Sequence, residues 1–328
     1  MQCDLSGAVV LVTGGAGFIG SHIVDQALAA RASSVRIVDD FSRGRAENLE
    51  AALATNRVQL VRGDIRDAAL VDRLTDGVDL VFHQAALRIT QCAEEPLRAI
   101  EVMVDGTQNV LESAVRHRVS KVLAASSASV YGEPTKLPMD EDHPFNNRTL
   151  YGAAKIANEQ MLRAYADMHL VRYVALRPFN VYGARMDVHG VYTEVMIRWL
   201  ERLGRGEAPV IFGDGTQTMD FVYVEDVARA YLLAAVADVT DEVFNVGTGL
   251  ETSLRQLCEA LCVVTGNAGL QPVHEPARKV NPVNRRQAGV RRAAERIGFR
   301  ATVGLESGLE RLVEWYRSGA PAPVEALL

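Results

Sequence analysis

Short apolar, mostly β-branched runs recur along the chain and alternate with longer stretches of helical period. The runs are AVVLVT (8 to 13), SVRIVD (34 to 39), RVQLVR (57 to 62), DLVFHQ (79 to 84) and KVLAAS (121 to 126). Between them, 18 to 31 and about 97 to 117 space their apolar residues as helices do. Strands apolar at nearly every position belong to parallel sheets covered on both faces, so the rhythm predicts an α/β fold with a doubly wound parallel sheet. Further strands are expected at YVALR (173 to 177) and VFNVG (243 to 247). Past 178 the rhythm breaks into Gly- and Pro-bearing loops, with helices near 192 to 205 and 305 to 317. The expected organisation is a first lobe over 1–177, to which about 221–248 returns, and a smaller interleaved lobe from 178–220 and 249–328. No internal repeat is visible in the sequence.

The first strand runs into GGAGFIG, which sets Gly14, Gly17 and Gly20 at the mouth of a helix. Bare glycines there permit the tight turn, close approach of backbone to a pyrophosphate, and close packing of helix on strand. The fold expected is therefore Rossmann-like. Asp39 ends the second strand, 19 residues after Gly20. A carboxylate there accepts from ribose hydroxyls and repels a 2′-phosphate, which favours NAD over NADP; the competing role is a turn cap. Asp64, ending the third strand, either accepts from the adenine amine or caps the next turn. Phe18, Ile19, Ile65 and Ala85 complete the expected cofactor surface.

Composition narrows the partners. Apolar residues make up 48% and charged residues 23%, an ordinary globular balance, and the net charge of -6 offers no basic face for nucleic acid or anionic lipid. No apolar run approaches the roughly 18–20 residues of a membrane span, and no leader pattern opens the chain, so a cytoplasmic protein is expected. Cys3, Cys92, Cys258 and Cys262 fall into no metal-ligand spacing; no metal is expected, and Cys258 and Cys262 are taken as packing residues one turn apart on a helix.

Of the 35 basic residues only four are lysines, and one of them, Lys155, stands four residues after Tyr151 in TLYGAAKIANEQ. On a helix these two share a face, so the ammonium is expected to favour the phenolate and make the tyrosine a base near neutrality. A compact point charge can also donate to the nicotinamide ribose, which a planar guanidinium would crowd. Ser127, just past the fifth strand, lies where open α/β sheets bind ligands and can share a proton with a substrate hydroxyl.

GGAGFIG, SSASVYG, YGAAK, RPFNVYG and GDGTQTMDFVYVEDVARA, in that order, resemble the extended short-chain dehydrogenase/reductase family, specifically its nucleotide-sugar epimerases and dehydratases. The resemblance spans about residues 8 to 317. It implies a nucleotide-sugar substrate in the smaller lobe, with Tyr151 as base, Lys155 as ribose anchor, Ser127 as proton-sharing partner and Asn180 as a substrate contact. By the same resemblance His189, Gly190 and Tyr192 frame the nucleobase, and a homodimer forms through the helices near 97 to 117 and 150 to 168. Relatives that eliminate water carry Asp-Glu where this chain has Ala128 and Ser129, and decarboxylases carry glutamate at 129. This leaves the 4-epimerase pattern, with a UDP-hexose or UDP-hexuronate as substrate. The alternatives are another nucleotide-sugar redox step or a non-catalytic dinucleotide sensor.

Three departures from the family pattern bear on the substrate. Met219 stands where relatives place a diphosphate-clamping arginine, and Met103 where many have an asparagine beside the nicotinamide. Arg278 or Lys279 resembles a second diphosphate contact. Arg286 falls where the family sets the size of the sugar pocket; it either reads an acidic sugar, replaces the lost clamp, or is a surface arginine.

Overall fold

The computed structural model describes residues 3–188, 195–276 and 283–319. His189, Gly190, Tyr192, Arg278 and Lys279 lie outside the described residues.

The large sheet is built from β1 (Val9–Thr13), β2 (Ser34–Asp39), β3 (Val58–Arg62), β4 (Leu80–His83), β5 (Lys121–Ala125) and β6 (Tyr173–Pro178). Two short strands, β7 (Asn180–Tyr182) and β8 (Phe221–Tyr223), pair with each other outside it, and β9 (Glu242–Val246) returns to it. The strand order is β9-β6-β5-β4-β1-β2-β3, parallel throughout. VFNVG thus returns to the large sheet as expected, with Phe244 opposite Leu176.

Both faces of this sheet are covered, and the period-two alternation of β1 shows how. Val10 and Val12 pack into the cluster containing Ile23 and Val24 of α1 (Phe18–Ala29), while Leu11 joins the opposite cluster with Val71 of α2 (Ala68–Thr75) and Val110 of α3 (Gly106–Arg116). α4 (Leu150–His169) adds Leu162 to that second face. The expected single helix over 97 to 117 is instead Pro96–Ile100, a wide π-type turn at Glu101–Asp105, and α3. Met103 sits in the widened turn, fully buried, with the Cys92 thiol donating to its sulfur at 3.6 Å. The methionine that departs from the family pattern therefore packs in the core.

A further apolar cluster joins α5 (Val195–Gly204), α7 (Leu254–Val264) and α8 (Leu305–Arg317) around Trp199, Leu257 and Leu312. Cys258 and Cys262 lie in it as free, buried thiols on α7. Between β8 and β9, α6 (Val224–Val236) packs on α1 and completes the first face, Val227 and Tyr231 entering its core. Among the described residues no helix is long and apolar enough to cross a membrane.

Candidate active site

The strand order reverses between β1 and β4, the place where open α/β sheets leave a crevice beyond the strands' carboxyl ends. Gly14 and Ala85 meet there: Gly14 has φ +68°, and a Cβ on it would stand 2.8 Å from the Ala85 nitrogen. Gly20 admits none either, since its Cβ would lie 2.2 Å from the Gly14 carbonyl oxygen. Gly17 caps α1 with no side chain and leaves the helix N-terminus open to a cavity of about 840 Å³. That volume is at the upper end of the roughly 300–1,000 Å³ range of small-molecule sites.

Asp39 faces this turn. Its carboxylate accepts from the backbone N–H of Ala16 and of Phe41, each at 2.9 Å, and Gly44 lets the next loop wrap it closely. Burial pushes its pKa up against those hydrogen bonds. The turn-capping role and the ribose role are compatible, because a carboxylate has about four acceptor positions and the N–H groups of Ala16, Phe41 and Gly17 leave one over. Asp64 takes the backbone N–H of Arg66 at 2.9 Å and its guanidinium at 2.7 Å, which holds its pKa low. It therefore caps its turn, while still lining the cavity with Phe18, Ile19, Ile65 and Ala85.

One buried chain of hydrogen bonds was not anticipated from the sequence. Thr107 donates to the Met103 carbonyl at 2.6 Å, so its oxygen accepts from His83 Nε2 at 2.9 Å. His83 Nδ1 then accepts from Thr13 at 2.7 Å, and Thr13 accepts from the Ala85 N–H at 3.2 Å. Burial, with Lys155 nearby, pushes the imidazole down to about 3, so it stays neutral and fixes β4 against β1.

Ser127, Tyr151 and Lys155 converge on the other half of the cavity. Thr149 caps α4 by accepting from Gly152 N–H at 3.1 Å, which starts the helix at Leu150, one residue before Tyr151. The Ser127 hydroxyl hydrogen-bonds Tyr151 and accepts from Ser129 N–H at 3.1 Å. Lys155 Nζ donates to the Ala125 carbonyl at 2.5 Å and lies 5.7 Å from the centre of the Tyr151 ring. Here one expectation is corrected: Lys155 does not bring the phenol toward neutrality. Burial raises the Tyr151 pKa, and the charges that oppose it are Arg43 and Arg286, together with the Ser127 hydrogen bond. Lys155 is itself pushed down to about 8 by burial.

Behind these groups, Glu159 receives the Ser126 hydroxyl and a two-pronged Arg177 at 2.8 and 2.6 Å, both ionic side chains being 4% exposed. This pair holds the residue before Ser127 to the helix that carries Lys155. Arg43 and Arg88 both reach Asp187, at 3.0 and 3.2 Å, drawing the segment after β7 against the loops that follow β2 and β4 at the cavity. Asn180 and Arg286 line the same cavity. Of the three roles left open for Arg286, the surface arginine is not what the structure shows: it is 8% exposed.

Residues 10–247 match the NAD dependent epimerase/dehydratase family. The chain belongs to that family. A UDP-glucose 4-epimerase of Mycolicibacterium smegmatis is 38% identical over 311 residues, covering 94% of this chain and 98% of the relative. Among solved structures, the UDP-glucose 4-epimerase of Thermotoga maritima with UDP-glucose is 36% identical at a TM-score of 0.88, covering 94% of this chain and 99% of that one. The UDP-N-acetylglucosamine 4-epimerase of Methanobrevibacter ruminantium, in complex with UDP-N-acetylmuramic acid, is 32% identical at a TM-score of 0.91, covering 96% and 100%.

As a member of this family the protein is an NAD-dependent enzyme, and the crevice fits the dinucleotide. Side chains that would fill the pyrophosphate turn are absent at Gly14, Gly17 and Gly20, and Asp39 has acceptor capacity to spare. Changing Asp39 to asparagine is therefore expected to weaken NAD binding roughly 10- to 100-fold, since hydrogen bonds to charged groups contribute about 1.5–3 kcal/mol. Titration calorimetry with NAD and NADP checks this, and the preference for NAD should shrink in the variant.

Proposed function

We propose that this protein is an NAD-dependent 4-epimerase of a UDP-hexose or UDP-hexuronate. The observation that carries the reading is the make-up of the sugar side: Ser127, Tyr151 and Lys155 stand together, and the neighbouring positions are Ala128 and Ser129. Elimination of water or loss of a carboxyl group draws on an acid or base that neither side chain supplies. The names of the relatives support the UDP-sugar assignment.

Bound NAD supplies a reversible hydride acceptor for C4 of the sugar. The chain supplies the proton traffic. Tyr151 takes the 4-hydroxyl proton through or beside Ser127 and returns it after the 4-keto sugar has presented its other face, while Asn180 and Arg286 hold the ring. Lys155, fixed by the Ala125 carbonyl, anchors the ribose. Residues 1–177 with 221–248 would then carry the cofactor, and 178–220 with 249–328 the nucleotide sugar. We place a homodimer contact on the helices around 97–117 and 150–168, where Leu97 and Met168 are 81% and 70% exposed.

The test is incubation with UDP-glucose, UDP-galactose and the matching uronates, following the anomeric protons by NMR and NADH by absorbance. Interconversion at C4 without net NADH is expected. A 6-deoxy-4-keto product, a pentose, or stoichiometric consumption of NADH would refute the reading.

A further inference from the structure

Two consecutive arginines in NRRQAG behave oppositely. Arg285 is exposed and pairs with Glu251 at 2.5 Å, as surface arginines do. Arg286 turns inward to the cavity wall, and its Nε is buried with no hydrogen-bond partner. Among the described residues no carboxylate forms an ion pair with it; Glu133, an exposed side chain, acts on it only from beyond that range. Three other cavity-lining arginines have a carboxylate: Arg43 and Arg88 share Asp187, and Arg185 pairs with Asp25 at 2.7 Å.

The position is built rather than incidental. Arg286 N–H donates to the Thr218 carbonyl at 3.0 Å, Thr218 N–H to Asn284 at 2.9 Å, and Ala288 N–H to the Asp220 carboxylate at 3.1 Å, so the backbone is pinned on both sides. On the same cavity the Asn180 side-chain oxygen is also buried without a partner. A charged guanidinium kept out of water without a counter-charge is costly, and a site that retains one is completed by an anion. Burial also disfavours the charge itself, which a guanidinium nevertheless keeps.

The anion's place on the substrate follows from what lies beside Arg286. It lines one cavity with Ser127 and Tyr151, the groups proposed to meet the 4-hydroxyl, and its segment is tied to Asn180 through Asp220, whose carboxylate accepts from Ala288 N–H and whose carbonyl accepts from Asn180 N–H. In a pyranose, C4 is bonded to C5, which bears the C6 substituent, whereas the diphosphate on C1 lies across the ring. We infer that Arg286 is the specificity residue for an acidic sugar, pairing with the C6 carboxylate of a nucleoside-diphosphate hexuronate and favouring it over the neutral hexose. This rests on the 4-epimerase reading and names the substrate class within it.

The experiment compares the wild type with Arg286→Met and Arg286→Lys, measuring kcat/KM for UDP-glucuronate and UDP-glucose, and equilibrium binding of both and of UDP. The ratio of uronate to hexose kcat/KM should fall about 30- to 5,000-fold in the methionine variant, the range for truncating one partner of a buried charge pair, and recover in part with lysine. A binding ratio shifted the same way supports the inference even without turnover. Equal weakening of UDP and of both sugars would assign Arg286 to the diphosphate and overturn it. So would a wild type that prefers UDP-glucose, although the 4-epimerase reading would then stand. Binding of both sugars with conversion of neither would instead count against the 4-epimerase reading.

Discussion

Tyr151→Phe is expected to lower kcat roughly 10²- to 10⁴-fold, the span of a lost general base, with NAD binding altered only a few-fold. The substitution is clean because the ring is seated in the apolar cluster that also holds Ala154 and Leu162, and phenylalanine keeps those contacts. Only the hydroxyl and its hydrogen bond to Ser127 are removed. The pH profile carries a second signature. Since burial raises the pKa of this phenol, the wild-type rate should climb with pH as the proton is released, and the residual activity of the phenylalanine variant should lack that limb. Lys155→Arg should also fail, because the buried Lys155 Nζ meets the Ala125 carbonyl at 2.5 Å as a single compact donor, a geometry that a longer planar guanidinium does not reproduce. Steady-state kinetics from pH 6 to 10 decide all three; a phenylalanine variant that retains wild-type kcat would remove Tyr151 from the chemistry.

What could be read from the sequence, and what could not, divides along a physical line. Strands buried on both faces must be apolar at almost every position, so β1, β2, β4, β5 and β6 announced themselves, as did the glycines whose missing Cβ atoms are demanded by backbone contacts. The i, i+4 spacing placed Tyr151 and Lys155 on one face, which the structure bears out in geometry. Spacing says nothing of the balance between burial and charge, and in that balance burial outweighs the groups that favour the phenolate. Strands β7 and β8 are three residues each, too short for any periodicity, and exist because each pairs with the other. The Arg43, Arg88 and Asp187 cluster and the Thr13, His83 and Thr107 chain draw on segments far apart in sequence, each ordinary alone. The register of the family resemblance singled out Arg286 but left a surface arginine among its roles, and the fold decides it: Arg286 is buried while Arg285 pairs at the surface with Glu251.

The same kind of long-range assembly makes Asp220→Ala the substitution with the largest expected cost to stability. Asp220 is fully buried, and its four acceptor positions are all taken: one oxygen receives Thr248 N–H and hydroxyl at 2.8 and 2.7 Å, the other Gly249 N–H at 2.8 Å and Ala288 N–H at 3.1 Å. Its own carbonyl receives the Asn180 N–H at 2.9 Å. Truncation leaves those donors buried without partners, at about 1–3 kcal/mol each, partly offset because the buried carboxylate's desolvation cost also disappears. A net loss of about 3–5 kcal/mol is expected, or a fall in Tm of roughly 4–8 °C for a chain of this length. Asparagine should be scarcely better, since its amide nitrogen would face N–H groups. Asp214→Ala is the control: Asp214 is exposed and its carboxylate accepts hydrogen bonds from Thr216 alone, through that residue's N–H and hydroxyl. Because Asp220 ties together the backbones that present Asn180 and Arg286, the alanine variant should raise KM for the nucleotide sugar well before NAD binding is lost. Calorimetry paired with separate titrations of NAD and of the sugar nucleotide tests that order, and equal loss of both ligands would show that Asp220 supports the whole fold rather than the sugar side.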